Sequence, residues 1–385
     1  MLQRRKRWFR FLRFLFSTIT EFLVSPMKFS PRLLLFPFSV IYCIIAEVRN
    51  LLYDTGLLSS KGAPVPLISV GNLTVGGTGK TPLTEYLTRL LLPEVRCALL
   101  SRGYGRKTRG AFLVEENDQA TPASIGDEPM QMKMKFPGLT IAVAEKRRKG
   151  LEKLMALPHP PETIILDDAF QHRAVQSGLS ILVTDYYRPV YKDVCLPAGN
   201  LREPFRRRER ADIILVNKCP ENLGPEEQNV IIGKLAPFPH QQVFFSTISY
   251  DTPCQLVPEP QNGNKASPFT DNRPVVAMAG IGNPEPFFNH LRQFKGYLQT
   301  LAFPDHYRFT HKGINRLKTA LKNAGPDAVI ITTEKDAVKL KHVNLPPEIL
   351  KRIWYLPIQL KILFNKQNTF NKTVKTYVST NQRNR

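Results

Sequence analysis

An α/β fold follows from three observations on the sequence: a doubly wound, mostly parallel sheet, a second and smaller α/β domain, and an N-terminal membrane-interface segment. A glycine-rich loop, Gly71-Asn72-Leu73-Thr74-Val75-Gly76-Gly77-Thr78-Gly79-Lys80-Thr81, lies between the apolar run Val65, Leu67, Ile68, Val70 and a helical stretch beginning Pro82-Leu83-Thr84-Glu85-Tyr86-Leu87. Further apolar runs follow at strand length: Cys97 to Leu100, Leu139 to Ala144, Thr163 to Leu166, Leu179 to Thr184, Asp212 to Val216 and Gln242 to Ser246. Continuous Val, Ile and Leu runs separated by helical or loop segments belong to parallel strands buried on both faces. The third observation is the opening Arg4-Arg5-Lys6-Arg7-Trp8-Phe9-Arg10-Phe11-Leu12-Arg13-Phe14-Leu15-Phe16, where cations and aromatics interleave. The expected division is a membrane-associating segment at 1–53, a nucleotide-binding domain at 54–250, a linker at 251–273, a smaller α/β domain at 274–364 and a mobile tail at 365–385.

The chain of 385 residues is long enough for two cores. Its net charge of +22 points to an anionic partner: nucleic acid, an anionic membrane surface or a phosphorylated substrate. The five cysteines (Cys43, Cys97, Cys195, Cys219, Cys254) are odd in number and form no C-x-x-C pair, which argues against a zinc site or disulfide framework and fits a reducing cytosol.

In the N-terminal segment, cations suit anionic headgroups while Trp8, Phe9, Phe11 and Phe14 suit the acyl boundary. Nothing later repeats the pattern, so a membrane surface is preferred to nucleic acid. The apolar run Leu33 to Ala46 is interrupted by Pro37 and falls short of the roughly twenty residues that cross a bilayer. A monotopic part lying in the membrane surface is expected.

The glycine-rich loop sits between strand and helix, the setting of a P-loop NTPase. Thr74, Val75, Gly76, Gly77, Thr78, Gly79, Lys80 and Thr81 are expected to cradle a triphosphate, with Lys80 at the β- and γ-phosphates and Thr81 on Mg²⁺. Thr74 stands where the pattern G-x-x-x-x-G-K-[ST] has its first Gly. Pro82 suits a first helical turn, where its missing N–H would have no partner.

Ligands of doubly wound sheets sit at the carboxyl ends of the strands. Ser101-Arg102-Gly103-Tyr104-Gly105-Arg106 places Arg102 and Arg106 on a glycine-rich turn, suited to phosphate or to a basic surface loop. Gly126-Asp127-Glu128-Pro129 precedes a Met-rich helix and reads equally well as a helix N-cap. Asp167 and Asp168 end the strand Ile164-Ile165-Leu166 and are the expected Mg²⁺ carboxylates, because adjacent acids repel unless a cation is near. Leu196 to Pro204, before Arg206-Arg207-Arg208, reads equally as an anion site or a solvated basic loop. Asn217-Lys218-Cys219-Pro220 lacks the Asp that would read guanine.

The second domain offers the strand Val275 to Ala279, the turn Gly280-Ile281-Gly282-Asn283-Pro284, a helix with Phe287, Phe288 and Leu291, a helix from Lys312 to Asn323, the strand Val329 to Thr332 and a closing run Ile353 to Ile358. His306, beside Asp305 in a loop, reads on its own as a surface histidine. The polar tail shows no apolar periodicity.

Taken together, GNLTVGGTGKTP (Gly71 to Pro82), SRGYGR (Ser101 to Arg106), GDEP (Gly126 to Pro129), LDDAFQH (Leu166 to His172), LPAGNLREP (Leu196 to Pro204), FPDHY (Phe303 to Tyr307) and TTEKDAVK (Thr332 to Lys339) resemble the tetraacyldisaccharide 4′-kinase family, the lipid A 4′-kinases of Gram-negative bacteria. The motifs span most of the chain; Ala169 stands where many members carry Gly. The resemblance implies ATP- and Mg²⁺-dependent phosphorylation of the 4′-hydroxyl of an acylated glucosamine disaccharide 1-phosphate, by a peripheral or monotopic protein on the cytoplasmic face of the inner membrane. It also implies that Asp127 is the catalytic carboxylate that takes the hydroxyl proton, that His306 pairs with it, and that the two meet when the domains close. Thr74 becomes a family trait. A monomer without a nucleic-acid partner is expected. The alternative is a membrane-associated NTPase switch, in which hydrolysis drives a conformational change and no small molecule is phosphorylated.

Overall fold

The computed structural model describes residues 31–116, 118–257 and 267–383; the basic, aromatic segment at 4–16 lies outside them. Helix α1 spans Phe36–Asp54. The large domain then runs β1 (Leu67–Gly71), α2 (Lys80–Leu91), β2 (Cys97–Ser101), β3 (Phe112–Val114), α3 (Asp127–Lys135), β4 (Thr140–Val143), α4 (Arg147–Met155), β5 (Thr163–Asp167), β6 (Leu179–Asp185), β7 (Ile213–Asn217), α5 (Pro225–Leu235) and β8 (Gln242–Tyr250). The small domain holds β9 (Cys254–Gln255), β10 (Val275–Ala279), α6 (Glu285–Leu291), β11 (Tyr297–Ala302), α7 (His311–Ala324), β12 (Val329–Thr333), α8 (Glu334–Lys341) and β13 (Ile353–Leu356). The chain then returns to the large domain with β14 (Ile358–Ile362) and α9 (Gln367–Arg383).

The large sheet has the order β14-β8-β7-β6-β1-β5-β2-β4-β3, parallel except at its two edge strands. Strands β1, β2, β5, β6 and β7 are buried along their whole length, as unbroken apolar runs require. The order reverses at β1, which pairs with both β5 and β6, and Val70 lies in register with Asp167. The loop after β1 and the carboxylates after β5 therefore open onto the same crevice. The small sheet has the order β11-β10-β12-β13-β9.

Three expectations are corrected. Residues 365–385 were expected to be a mobile tail; α9 instead seals one face of the large sheet with Phe370, Val374 and Val378, all buried. Their i, i+4, i+8 spacing makes a stripe that needs no other apolar residue among the Asn, Thr and Lys around it. Tyr377 adds a hydroxyl that donates to Leu67 O and accepts from Leu67 N, both at 3.1 Å. Phe370 packs edge-on against Tyr86 and Phe244. Phe370→Ala is expected to cost about 3–5 kcal/mol, read as a lowered urea midpoint; a midpoint within error of wild type would mean that α9 does not stabilise the sheet.

Second, the domain boundaries shift. Cys254–Gln255, inside the expected linker at 251–273, is an edge strand of the small sheet, and Ile358–Ile362, inside the expected 274–364 domain, pairs antiparallel with β8 of the large one. The domains are joined by two short crossings side by side, with Asp251 N donating to Pro357 O at 2.9 Å.

Third, Pro37 does not interrupt the N-terminal apolar run. It sits in the first turn of a helix of 19 residues, where its missing N–H is harmless. The helix is long and apolar enough to cross a membrane, but its polar face is anchored to the body. Glu47 receives both Arg206 and Arg207, Asn50 donates to Glu203, and Ala198 N donates to Ser39. Phe38, Ile41, Ile45, Val48 and Leu51 face outward instead. A helix with Glu47 and Asn50 turned inward and its apolar stripe turned out is suited to lie on a membrane surface.

Candidate active site

The glycine-rich loop folds as the sequence predicts, and its bracing explains the irregular position. Thr74 makes a bridge to Leu201 and is not among the positive-φ residues, so its backbone needs no glycine. Val75 N donates to Asn200 O at 2.8 Å. Gly79, at φ +90°, caps α2, and a Cβ there would lie 1.9 Å from Asn217 Nδ2. That amide donates to Thr78 O at 3.0 Å, while Lys218 donates to Gly77 O at 2.5 Å and pairs with Asp185 at 2.7 Å. Asn217-Lys218 thus holds the loop, a role that position at the end of β7, next but one to β1, could have signalled.

Thr81, Glu128 and Asp167 line one small cavity with Thr84, Leu99, Pro129 and Met132. Asp167 is buried and accepts from Ser101 Oγ at 3.0 Å. Burial, then the charges of Glu128 and Asp168, push its carboxyl up to about 6. Two carboxylates that repel one another, with a hydroxyl beside them around a small space, fit a hard divalent cation, which commonly takes one or two carboxylates and completes its shell with phosphate and water. Among the described residues no group of three or more His, Cys, Asp or Glu could hold a metal alone.

Asp168 is differently placed. At φ +46° it turns toward Lys80 at 3.2 Å and Arg202 at 3.1 Å. Burial would raise its pKa, but Lys80 and Arg202 outweigh it and hold the carboxyl below its usual range. Lys80 and Asp168, read from the sequence as a phosphate residue and a metal residue, form one ion pair. His172, at the end of the same motif, is pushed down to about 4 by burial and by Arg147, and is neutral at pH 7.

The two arginines of the 101–106 loop part company. Arg102 is exposed, whereas Arg106 is engaged by Glu145 at 2.5 Å, Gly110 O at 2.6 Å, Val143 O at 3.3 Å and Thr108 at 3.3 Å. Arg106 holds the loop closed, because the glycines around it turn the chain back over its side chain.

Asp127 is the first residue of α3 and makes no capping bond; the cap is Gly126, at φ +95° with Tyr104 O only 2.8 Å from where a Cβ would stand. The N-cap reading of Asp127 is therefore set aside. His306 Nδ1 lies 3.6 Å from Asp127 Oδ2, across the domain boundary. Lys335 Nζ lies 3.3 Å from His306 Nε2 and 3.6 Å from Glu128. A lysine ammonium can only donate, so in the bond from Lys335 Nε2 is the acceptor, which leaves Nδ1 as the ring nitrogen facing Asp127; the Asp305 carboxylate lies 3.9 Å from Nε2 on the same side as Lys335. The sequence did not single out Lys335 for a role, nor Lys135, at the other end of α3. Lys135 bridges Glu85 of α2 at 2.6 Å and Glu334 of α8 at 2.8 Å, which joins the phosphate-loop helix, the Asp127 helix and the small domain through one ammonium.

A family model described as tetraacyldisaccharide-1-P 4′-kinase matches residues 31–379. The tetraacyldisaccharide 4′-kinase of Bacteroides thetaiotaomicron is 44% identical over 360 residues, 91% of this chain and 94% of that protein. That of Flavobacterium psychrophilum is 41% identical over 352 residues, covering 91% and 98%. Among solved structures, LpxK from Aquifex aeolicus in complex with ATP superposes with a TM-score of 0.70 at 31% identity, covering 91% of this chain and all of that one.

Proposed function

The chain belongs to the tetraacyldisaccharide-1-P 4′-kinase family, and from that premise we propose how its residues move a phosphoryl group from ATP to the 4′-hydroxyl of a tetraacyldisaccharide 1-phosphate. The activity rests on the family; the assignment of roles rests above all on the Asp127–His306 contact at 3.6 Å. An NTPase switch needs a phosphate loop but no carboxylate–imidazole pair across a domain boundary.

Thr74 to Thr81 and the α2 N-terminus hold the triphosphate, and Lys80 exchanges Asp168 for the β- and γ-phosphates. Thr81 and Asp167, with Glu128 beside them, would hold Mg²⁺. Bound there, the ion would neutralise charge on the transferring phosphoryl group. Asp127 accepts the proton of the 4′-hydroxyl as its oxygen bonds to the γ-phosphorus, and ADP leaves. His306, its Nδ1 facing Asp127 and Lys335 on the far side, aims the Asp127 carboxylate. Arg102 and Arg202 supply positive charge for the nucleotide and for the acceptor's 1-phosphate.

The exposed apolar stripe of α1 supports peripheral attachment to the cytoplasmic face of the inner membrane, where an acylated acceptor would be found. Transfer of label from γ-labelled ATP to a tetraacyldisaccharide 1-phosphate tests the whole reading, and ATP turnover without labelled lipid would overturn it. His306→Ala is expected to lower lipid phosphorylation at least ~100-fold with ATP affinity little changed. Wild-type turnover in that variant would remove the pair from the mechanism.

A further inference from the structure

Two thiols that the kinase reaction does not use lie against each other where α1 meets the loop after β6. Cys43 Sγ, in the middle of α1, is 3.0 Å from Cys195 Sγ, and both residues are buried. A sulfur pair at this separation is only about 1 Å longer than a bonded one. The pair is set within a hydrogen-bonded frame on either side. Ser39 and Tyr42 of α1 also contact this loop, accepting from Ala198 N at 2.8 Å and donating to Arg202 O at 3.1 Å. The loop is closed internally by Asp193, which takes both Asn200 N and Asn200 Nδ2 at 3.0 Å. It also reaches the phosphate loop, since Asn200 O receives Val75 N and Arg202 N donates to Leu73 O at 2.7 Å.

The geometry points to a redox-sensitive site: Cys43 and Cys195 are an oxidisable thiol pair whose disulfide ties the membrane-facing helix α1 to the loop that braces the phosphate loop. The thiols differ in character. With Cys195 donating its S–H, Cys43 is held below the ordinary thiol range, whereas Cys195 is raised by that same bond and by burial. Cys97 and Cys219, whose thiols donate to the backbone carbonyls of Ala98 and Val216, are each pushed up by burial to about 12.

A small hydroperoxide is the class of oxidant that suits a buried pair. The Cys43 thiolate attacks one oxygen of hydrogen peroxide and the O–O bond breaks; the other oxygen leaves as hydroxide and takes the proton Cys43 had released, giving Cys43 sulfenic acid and water. The Cys195 sulfur then attacks the sulfenic sulfur. The S–S bond forms, the S–O bond breaks, and hydroxide leaves with the Cys195 proton as a second water. Peroxide is reduced, both thiols are oxidised, and a dithiol reductant restores them.

The test uses the full chain, treated with hydrogen peroxide, alkylated and digested without reductant. The expected product is a peptide joining Cys43 to Cys195, formed ahead of any other cysteine pair and lost on reduction. Amide exchange along α1 is expected to slow at least tenfold in the oxidised protein and to recover with dithiothreitol. Cys43→Ser, which keeps a hydrogen-bonding group beside Cys195, should form no such peptide and show no peroxide effect on α1. Absence of the peptide overturns the site. A peptide without slowed exchange, or slowing that persists in Cys43→Ser, overturns the tie between the helix and the loop.

Discussion

Asp127→Asn is expected to lower kcat for the lipid acceptor by about 10³-fold, within the range general-base loss produces, and to leave the Kd for ATP within about twofold of wild type. The substitution keeps the shape of the side chain and the start of α3, which Gly126 sets, and it removes the negative charge and with it the ability to take a proton. The separation of effects follows from the layout. Asp127 faces His306 of the small domain, whereas the loop proposed to hold the triphosphate lies between β1 and α2. His306→Ala should cost less than Asp127→Asn, because a carboxylate without its imidazole is misaimed but still basic. Parallel measurement of steady-state lipid phosphorylation and calorimetric ATP binding decides the matter. An Asn variant within tenfold of wild-type kcat would exclude Asp127 as the base, and equal losses in kcat and ATP affinity would make it a structural residue.

Much of the large domain was legible because a strand buried on both faces is mostly apolar, as the runs within 97–101, 163–167, 179–185 and 213–217 are. The burial of Asp167 was legible for a related reason, since it ends one of those buried strands. What escaped the sequence depended on partners far along the chain. The stripe Phe370, Val374, Val378 has meaning only against Tyr86 and Phe244. The return of Ile358–Ile362 to the large sheet is decided by β8, with only Pro357 to separate β13 from β14. Arg106 looked like a phosphate ligand because its sequence neighbours do not show Glu145. The pairing of Asp127 with His306 came from resemblance, since residues in different domains share no spacing that periodicity could reveal.

The other large effect concerns Asp167, where activity and stability should move in opposite directions. In the metal-free protein its carboxyl is raised to about 6, first by burial and then by Glu128 and Asp168. A folded-state pKa above the unfolded value means that this group's contribution to stability is complete below about pH 4 and is lost as the pH rises through about 6. Asp167→Asn, neutral at every pH, should therefore be more stable than wild type at pH 7 in chelator, by an amount on the order of 1–3 kcal/mol, and should show no such advantage at pH 4. Mg²⁺ requires the charged carboxylate, so its apparent affinity in the wild type should weaken by up to about tenfold for each pH unit below 6. In the Asn variant that slope should vanish along with about 10³-fold of kcat, because charge on the transferring phosphoryl group is no longer met. Urea denaturation at the two pH values, with chelator and with Mg²⁺, reads the stability; kinetics at saturating Mg²⁺ reads the chemistry. If the variant is less stable than wild type at pH 7 without metal, the buried charge is already compensated within the protein and the cation site must lie elsewhere. If it is more stable but fully active, Asp167 bears a strain that the reaction does not use.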